Sequence, residues 1–376
     1  MAYTSVSPLP KFSTIGTAEK SNLSKAMRKP LSGYLGGEVR GGYWVERLSD
    51  EWCGTFDCKY AIPCNSATSG LLAACMAVPI RQGDLVWITA YSMSATAACA
   101  RVLGARIVFI DIETIRYSMN MNLFRGTIPK CIIATNLFGH PAYIGAMRSW
   151  CDSNNVILIE DNAQAPFAME NGRYAGTVGH MGVFSLNVHK HMQSGEGGVI
   201  CTDEFELSNK IHAAINHGEL AGHSAGLNLR MTEPIAAIAS AQLAKGLRIV
   251  GTRREIAHQL TDMVKDVSWI VPPAEDVGCY HVYYMWAARI LDGKRQRFGF
   301  ELHTRNVPIR TGYSKPLNRI FMTESNEIAA WHAKCSVAEK IDDEEIITFE
   351  VCAYDPKTRH LRQMREAIKE AAEECE

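Results

Sequence analysis

Apolar residues along this chain fall into two kinds of run. Five runs are short and unbroken: DLVWITA (84–90), ARIVFIDI (105–112), KCIIATNLFG (130–139), NVILIED (155–161) and GGVICTD (197–203). They lack the alternation of a half-exposed strand and are bounded by polar residues or glycine, which predicts strands buried on both faces. Helical patterns lie among them: SATSGLLAACMAV (66–78), SATAACARVLG (94–104) and YIGAMRSWCDSNN (143–155). The IPCN stretch ahead of the first helix reads as a turn. Strand alternating with helix predicts an α/β fold, a mostly parallel sheet flanked by helices.

Beyond about residue 205 the pattern changes. TEPIAAIASAQLAKGLRIVGTRREIAHQLTDMV reads as one long helix, opened by Thr232 with Pro234 in its first turn. VPPAEDVG (271–278) reads as a linker, HVYYMWAARIL as a strand, and HLRQMREAIKEAAEEC as a closing amphipathic helix. The expected division is an N-terminal segment (1–24), a large domain (25–250) and a smaller α+β C-terminal domain (251–376).

Composition narrows the function. The chain has 376 residues, 47% of them hydrophobic, so a sizeable core is affordable and global disorder is excluded. A net charge of -1 supplies no field for nucleic acid or anionic membrane. The densest basic cluster, GKRQRF (293–298), reads as a solvated turn, and IDDEE (341–345) as a solvated face. No apolar stretch reaches membrane-spanning length, since VLGARIVFI is short and broken by Arg106. The start, MAYTSVSPLPKFSTIG, lacks a basic end followed by an apolar run, so no secretory signal is expected. The 12 cysteines are dispersed and form no zinc-ribbon pairs, which predicts reduced thiols in a cytoplasmic protein.

Three segments carry candidate chemistry. NSATSGL (65–71) puts small hydroxyl residues at a helix start. That is either a plain N-cap by Ser66 or Thr68, or a seat for an anion such as phosphate. VILIEDNAQA ends a buried strand in Glu160 and Asp161, with Gln164 just beyond. This is a strand-terminating turn, or a carboxylate at the strand ends where open α/β sheets bind ligands. FSLNVHKHMQSGEGG (184–198) holds Lys190 between His189 and His191. The lysine is a candidate amine for a Schiff base. A metal site would need a third ligand, and no HExxH pattern supports one. GEGG reads as a tight turn before a strand. An anion-binding helix start, then Asp161, then Lys190, in that order on an α/β sheet, is the layout of a pyridoxal-phosphate enzyme.

Carried by NSATSGL, QGDLVWITAYSMSAT, ARIVFIDI, EDNAQ, FSLNVHKHMQSGEGG and GLNLRMTEPIAA (226–237), the chain resembles the DegT/DnrJ/StrS sugar aminotransferases. The likeness runs from LSGYLGGEV (31–39) almost to the C-terminus. It implies the type I pyridoxal-phosphate transferase fold, with pyridoxal 5'-phosphate as cofactor and pyridoxamine phosphate as its aminated form. Lys190 occupies the Schiff-base position and moves the proton. Asp161 matches the pyridine-nitrogen partner and Gln164 the residue beside the ring hydroxyl. Thr68, Ser69 and Ser185 correspond to phosphate contacts. Asn228 matches a residue that reaches the phosphate of a neighbouring subunit, which implies a homodimer with shared sites.

Two departures stand out. Met93 holds the place of an aromatic that stacks on the ring. GYSKPLN carries Gly312 and Asn318 where histidines are common, while Tyr313 and Lys315 remain as candidate substrate contacts. The implied reaction is a ping-pong transfer from L-glutamate or L-glutamine to a keto-sugar, which the resemblance implies is nucleotide-linked. Dehydratase relatives carry histidine at the lysine position. A cyclitol aminotransferase, or a silent pyridoxal-phosphate-binding regulatory or assembly protein, are the alternatives. His217, His223 and Arg230 flank the Asn228 loop and read as surface polar residues.

Overall fold

The computed structural model describes residues 3–34, 40–218, 225–322 and 334–376. The part of LSGYLGGEV from 35 to 39, and His223, lie outside the described residues.

The large domain is built on strands β1 (Tyr60–Cys64), β2 (Leu85–Thr89), β3 (Arg106–Ile110), β4 (Cys131–Thr135) and β5 (Ile157–Asp161). A short hairpin, β6 (Met169–Glu170) and β7 (Arg173–Tyr174), precedes β8 (Met181–Ser185) and β9 (Gly198–Thr202). The seven-stranded sheet has the order β1-β9-β8-β5-β4-β2-β3, and only β9 runs against its neighbours.

The unbroken apolar runs are explained by two separate cores. Val86, Ile88, Ile133 and Ile159 face one cluster, while Trp87, Ile132, Ala134 and Leu158 face the other. Successive side chains point to opposite faces, so a strand covered on both sides needs apolar residues throughout.

Two strands differ from expectation. Ile62, Pro63 and Cys64 of IPCN belong to β1, not to a turn: Pro63 is tolerated because β1 is an edge strand of the sheet, next to β9 alone. FS of FSLNVHK ends β8.

The helices are α1 (Thr17–Ala26), α2 (Tyr43–Phe56), α3 (Ala67–Ala77), α4 (Ala95–Arg101), α5 (Ile144–Asn154), α6 (Phe205–Ile215), α7 (Glu233–Leu243) and α8 (Gly246–Val264). The long helix expected from Thr232 onward is therefore two helices. The chain leaves helical geometry at Lys245 (φ -118°, ψ 8°), whose ammonium reaches the buried carboxylate of Glu19 on α1 at 2.5 Å. At the other end of α7, buried Glu233 accepts from the backbone N–H groups of Trp44 (2.8 Å) and Val45 (3.2 Å). A carboxylate from one helix thus caps the start of another, where the dipole favours negative charge.

The C-terminal part holds β10 (Ile270–Val271), β11 (Cys279–Tyr280), β12 (Trp286–Ile290), β13 (Ile309–Thr311) and β14 (Ile346–Phe349). Four of these form an antiparallel sheet in the order β10-β12-β14-β13, whereas β11 pairs with β6. Helices α9 (Arg295–Thr304), α10 (Leu317–Met322), α11 (Ser336–Lys340) and α12 (Thr358–Glu373) complete it. Ile256, Ala257, Leu260 and Val264 of α8 share this core with Met364, Ala367 and Ile368 of α12, whereas Val250 packs in the large-domain core. The expected division after residue 250 falls inside α8.

Both charged runs depart from a solvated reading. Arg295 of GKRQRF is buried at the start of α9, and its guanidinium donates to the carbonyls of Asp342 and Asp343. IDDEE forms a single π-helical turn in which Glu345 is buried and paired with Arg289 at 2.6 Å.

The cysteines are all free thiols, most of them buried. Among the described residues no helix is long and apolar enough to cross a membrane.

One half-buried histidine gives the fold a pH dependence. His180 Nδ1 accepts from the Leu158 N–H at 2.9 Å, so that nitrogen must carry no proton. Burial, with Arg148 nearby, pushes its pKa down from 6.5 to about 4. Its contribution to stability is full above pH 6.5 and is lost as pH falls toward 4. His180→Asn, which keeps an acceptor without titrating, is expected to flatten the fall in melting temperature over that range. An unchanged slope would discard the assignment.

Candidate active site

A cavity of about 380 Å³ opens at the carboxyl ends of β2, β4, β5 and β8. That size suits a small organic ligand. Thr68, Met93, Asp161, Gln164, Ser185 and Lys190 all line it.

The α3 end of the cavity is a helix start. Ser66 caps α3: its hydroxyl accepts from the Ser69 N–H at 3.1 Å and donates to Ser69 Oγ at 3.0 Å. The N–H groups of Ala67 and Thr68, which a helix leaves pointing backwards out of its first turn, have no recorded partner among the described residues. The helix start sits tight against the sheet: a Cβ on Gly198 would lie 2.7 Å from the Ala67 nitrogen. Ser69 is spent on the cap and lies outside the lining. Ser185, at the end of β8, lines the cavity alongside this start.

Two carboxylates end β5, and the strand separates them. Glu160 accepts from the N–H groups of Gly176 (2.7 Å), Val178 (2.9 Å) and Gly179 (2.6 Å), and from Asn136 Nδ2 at 3.0 Å. It holds a loop together on the far face. Asp161 faces the cavity and accepts from Thr96 Oγ1 at 2.6 Å and from the Ala163 N–H at 3.2 Å. Burial pushes its pKa up, opposed by Thr96, the Ala163 N–H and the Lys190 charge.

Behind Asp161 runs a chain of hydroxyls. Thr135 Oγ1 lies 3.0 Å from Ser92 Oγ, which lies 2.8 Å from Thr96 Oγ1. Ser92 and Thr96 are one helical turn apart in the AYSMSAT stretch, a spacing readable in the sequence. Thr135 joins them only because β4 lies beside β2.

Lys190 sits in the loop joining β8 to antiparallel β9. The loop closes on itself through Leu186 N–H to Gly197 O (2.9 Å) and Val188 N–H to Gly195 O (3.0 Å). Lys190 Nζ lies over the ring of Tyr284, 4.6 Å from its centroid. Burial pushes the amine pKa below its ordinary value, while Asp161 pulls the other way. Tyr284, Asn187, Glu196 and His189 also line the cavity. Tyr284 comes from a segment read only as a strand. His191 turns away: it is fully buried, with Nδ1 3.4 Å from Cys352 Sγ. The two histidines therefore face different surroundings, and among the described residues no cluster of three or more metal-ligating side chains is placed to hold an ion.

Gln164 is tied at both ends. Its Oε1 accepts from the Phe138 N–H at 2.8 Å, and its Nε2 donates to the Tyr313 hydroxyl at 2.7 Å. Tyr313 thus reaches the site through Gln164, while Lys315 is exposed and outside the lining. Asn228 is exposed and also outside it, on a segment bridged to Asn216. Met93 is 57% exposed at the mouth. Asn318 is buried and donates to Glu339 Oε1 at 2.7 Å, away from the cavity lining.

A lysine, a buried carboxylate and an open helix start around one cavity, on a sheet with a single reversed strand, suit a pyridoxal-phosphate enzyme. Residues 26–349 match the DegT/DnrJ/EryC1/StrS aminotransferase family, and the chain belongs to it. Over 286 residues it is 28% identical to the pleiotropic regulatory protein of Geobacillus stearothermophilus, covering 74% of this chain and 76% of that one. It is 29% identical over 270 residues to the GDP-perosamine synthase of Vibrio cholerae, covering 70% and 72%. The solved aminotransferase from Psychrobacter cryohalolentis superposes with a TM-score of 0.85 at 24% identity, covering 97% of this chain and 98% of that one.

Proposed function

We propose that the protein transfers an amino group from L-glutamate or L-glutamine to a nucleotide-linked keto-sugar. The observation that carries this is the shared cavity: Lys190 and Asp161 stand in one space with the open start of α3. The family and the likeness to a GDP-perosamine synthase support the substrate class.

The residues fit the cofactor. The Ala67 and Thr68 N–H groups, the Thr68 hydroxyl and Ser185 would hold the phosphate, with the helix dipole favouring the anion. Asp161 would keep a proton on the ring nitrogen. Gln164 would stand beside the ring hydroxyl, and the Met93 thioether would pack on the ring face. When bound, pyridoxal phosphate supplies an aldehyde for the amine and a cationic ring that withdraws electrons from the bond being broken.

Lys190 would have two tasks, holding the cofactor through its amine and carrying a proton. For the second it must be neutral, and its buried position favours that form. Asn228, exposed and outside this chain's own cavity lining, would complete the phosphate seat of a second subunit in a homodimer.

A single-turnover screen tests the reading. Protein loaded with pyridoxamine phosphate is mixed with nucleotide-linked keto-sugars and with keto-inositols, and product masses are read. Replacement of the keto oxygen by an amine on a nucleotide sugar is expected. Loss of water, or amination of keto-inositols alone, would overturn it. A second reading, a binding protein without turnover, is favoured by the exposed Met93 and by the regulatory relative. Cofactor binding with no half-reaction across a panel of amino donors would establish that instead.

A further inference from the structure

Asp342 lies in the π-helical turn Ile341–Glu345, outside the cavity lining. One of its oxygens, Oδ1, accepts from two distant parts of the chain. The Tyr91 hydroxyl donates to it at 2.8 Å, and the Tyr313 backbone N–H at 3.3 Å. Each donor leads to a different wall of the site. Tyr91 is fully buried, stands two residues before Met93, and packs edge-on against Phe138 and Tyr313. Tyr313 receives the Gln164 amide at its hydroxyl.

The acceptor is itself held in place. The Asp342 carbonyl accepts from Arg295 Nη1 at 2.7 Å, and that guanidinium is buried. Gly312 lets the chain turn here, because its φ of +94° is a backbone conformation that other residues adopt only with strain. The same two segments meet once more, where the Leu317 N–H donates to the Ala90 carbonyl at 2.8 Å.

We propose that Asp342 is a positioning residue for amino transfer: through Tyr91 and Tyr313 it fixes the spacing between the Met93 wall and the Gln164 wall. What lies between those walls rests on the function proposed above, but the tie itself is a property of the fold. The two rings also meet edge-on, with centroids 5.9 Å apart, so the carboxylate adds a directional polar tie to an apolar contact. A carboxylate oxygen has lone pairs for both donors, and an asparagine oxygen in the same place would serve as well. A loosened wall misplaces the reacting groups, and small misplacements lower turnover steeply.

The test compares Asp342→Ala, Asp342→Asn, Tyr91→Phe and the double variant Tyr91→Phe/Asp342→Ala. Two readouts are taken: hydrogen exchange of segments 90–96 and 312–317 without cofactor, and kcat and KM for the amino-donor half-reaction. Asp342→Ala and Tyr91→Phe are each expected to speed exchange in segment 90–96. Each is expected to lower kcat about tenfold, with KM little changed. The double variant should be no worse than the weaker single, because both changes break one tie. Asp342→Asn should stay within about threefold of wild type.

Additive losses in the double variant, an asparagine variant as poor as the alanine one, or unchanged exchange would each overturn the proposal. If Asp342→Ala does not fold, Tyr91→Phe, which loses one hydroxyl, decides. Wild-type protein lacking any half-reaction would defeat the aminotransferase reading, and the exchange pattern would still decide the tie.

Discussion

Lys190→Ala is expected to abolish amino transfer, lowering kcat by roughly 10⁴-fold or more, since both proton carriage and the covalent hold on the cofactor are lost. His191 faces Cys352 in the interior, and His189, though it lines the cavity, is an imidazole and cannot form the imine that a primary amine forms. The cavity walls are otherwise intact, so the variant should still bind pyridoxal phosphate through α3 and Asp161, but without the near-visible absorption of a lysine-bound cofactor. The wild-type half-reaction should rise with pH to a midpoint below the 10.5 of a free lysine, because burial favours the neutral amine. Turnover within tenfold of wild type in Lys190→Ala would defeat the assignment.

Asp161→Ala is expected to lower kcat by roughly 10³-fold and to weaken cofactor binding, as the charged partner of the ring nitrogen disappears. Asp161→Asn separates charge from shape. Its one oxygen can still accept from the Ala163 N–H while its Nδ2 donates to the Thr96 hydroxyl, so folding should be spared while turnover falls nearly as far. Equilibrium titration with pyridoxal phosphate and steady-state rates check both variants. Wild-type rates in Asp161→Asn would remove Asp161 from the chemistry.

Much of this site could be read along the chain because its parts sit in short local motifs. Asp161, Ser185 and Thr68 lie at strand ends or a helix start, and Gln164 and Lys190 in the loops just after β5 and β8, so a short local stretch carries each signal. What stayed hidden depends on contacts between elements. Thr135 meets Ser92 through strand order, and Tyr284 comes under Lys190 from the C-terminal part. Asp342 was hidden for the same reason: 251 residues separate it from Tyr91. A run of four acidic residues reads as solvent-facing until the arginines that take up Glu345 and the Asp342 carbonyl are placed.

The fold shows the same limit. Strands covered on both faces announced themselves as solid apolar runs, but β1 contains a proline, which only its edge position permits. The break between α7 and α8 escaped notice because the helical pattern resumes beyond Gly246, which itself marks the interruption. At the break Lys245 reaches Glu19.

The adjacent carboxylates of β5 have a consequence for how this protein can vary. Glu160 and Asp161 sit one residue apart, yet one binds a loop and the other faces the cavity. A single-residue insertion or deletion within Ile157–Asp161 would exchange their faces, costing architecture and chemistry together. Length changes should therefore be tolerated in the exposed turn near Gly126 and selected against in β5. In a library of random one-codon insertions, β5 should appear as a gap among the survivors.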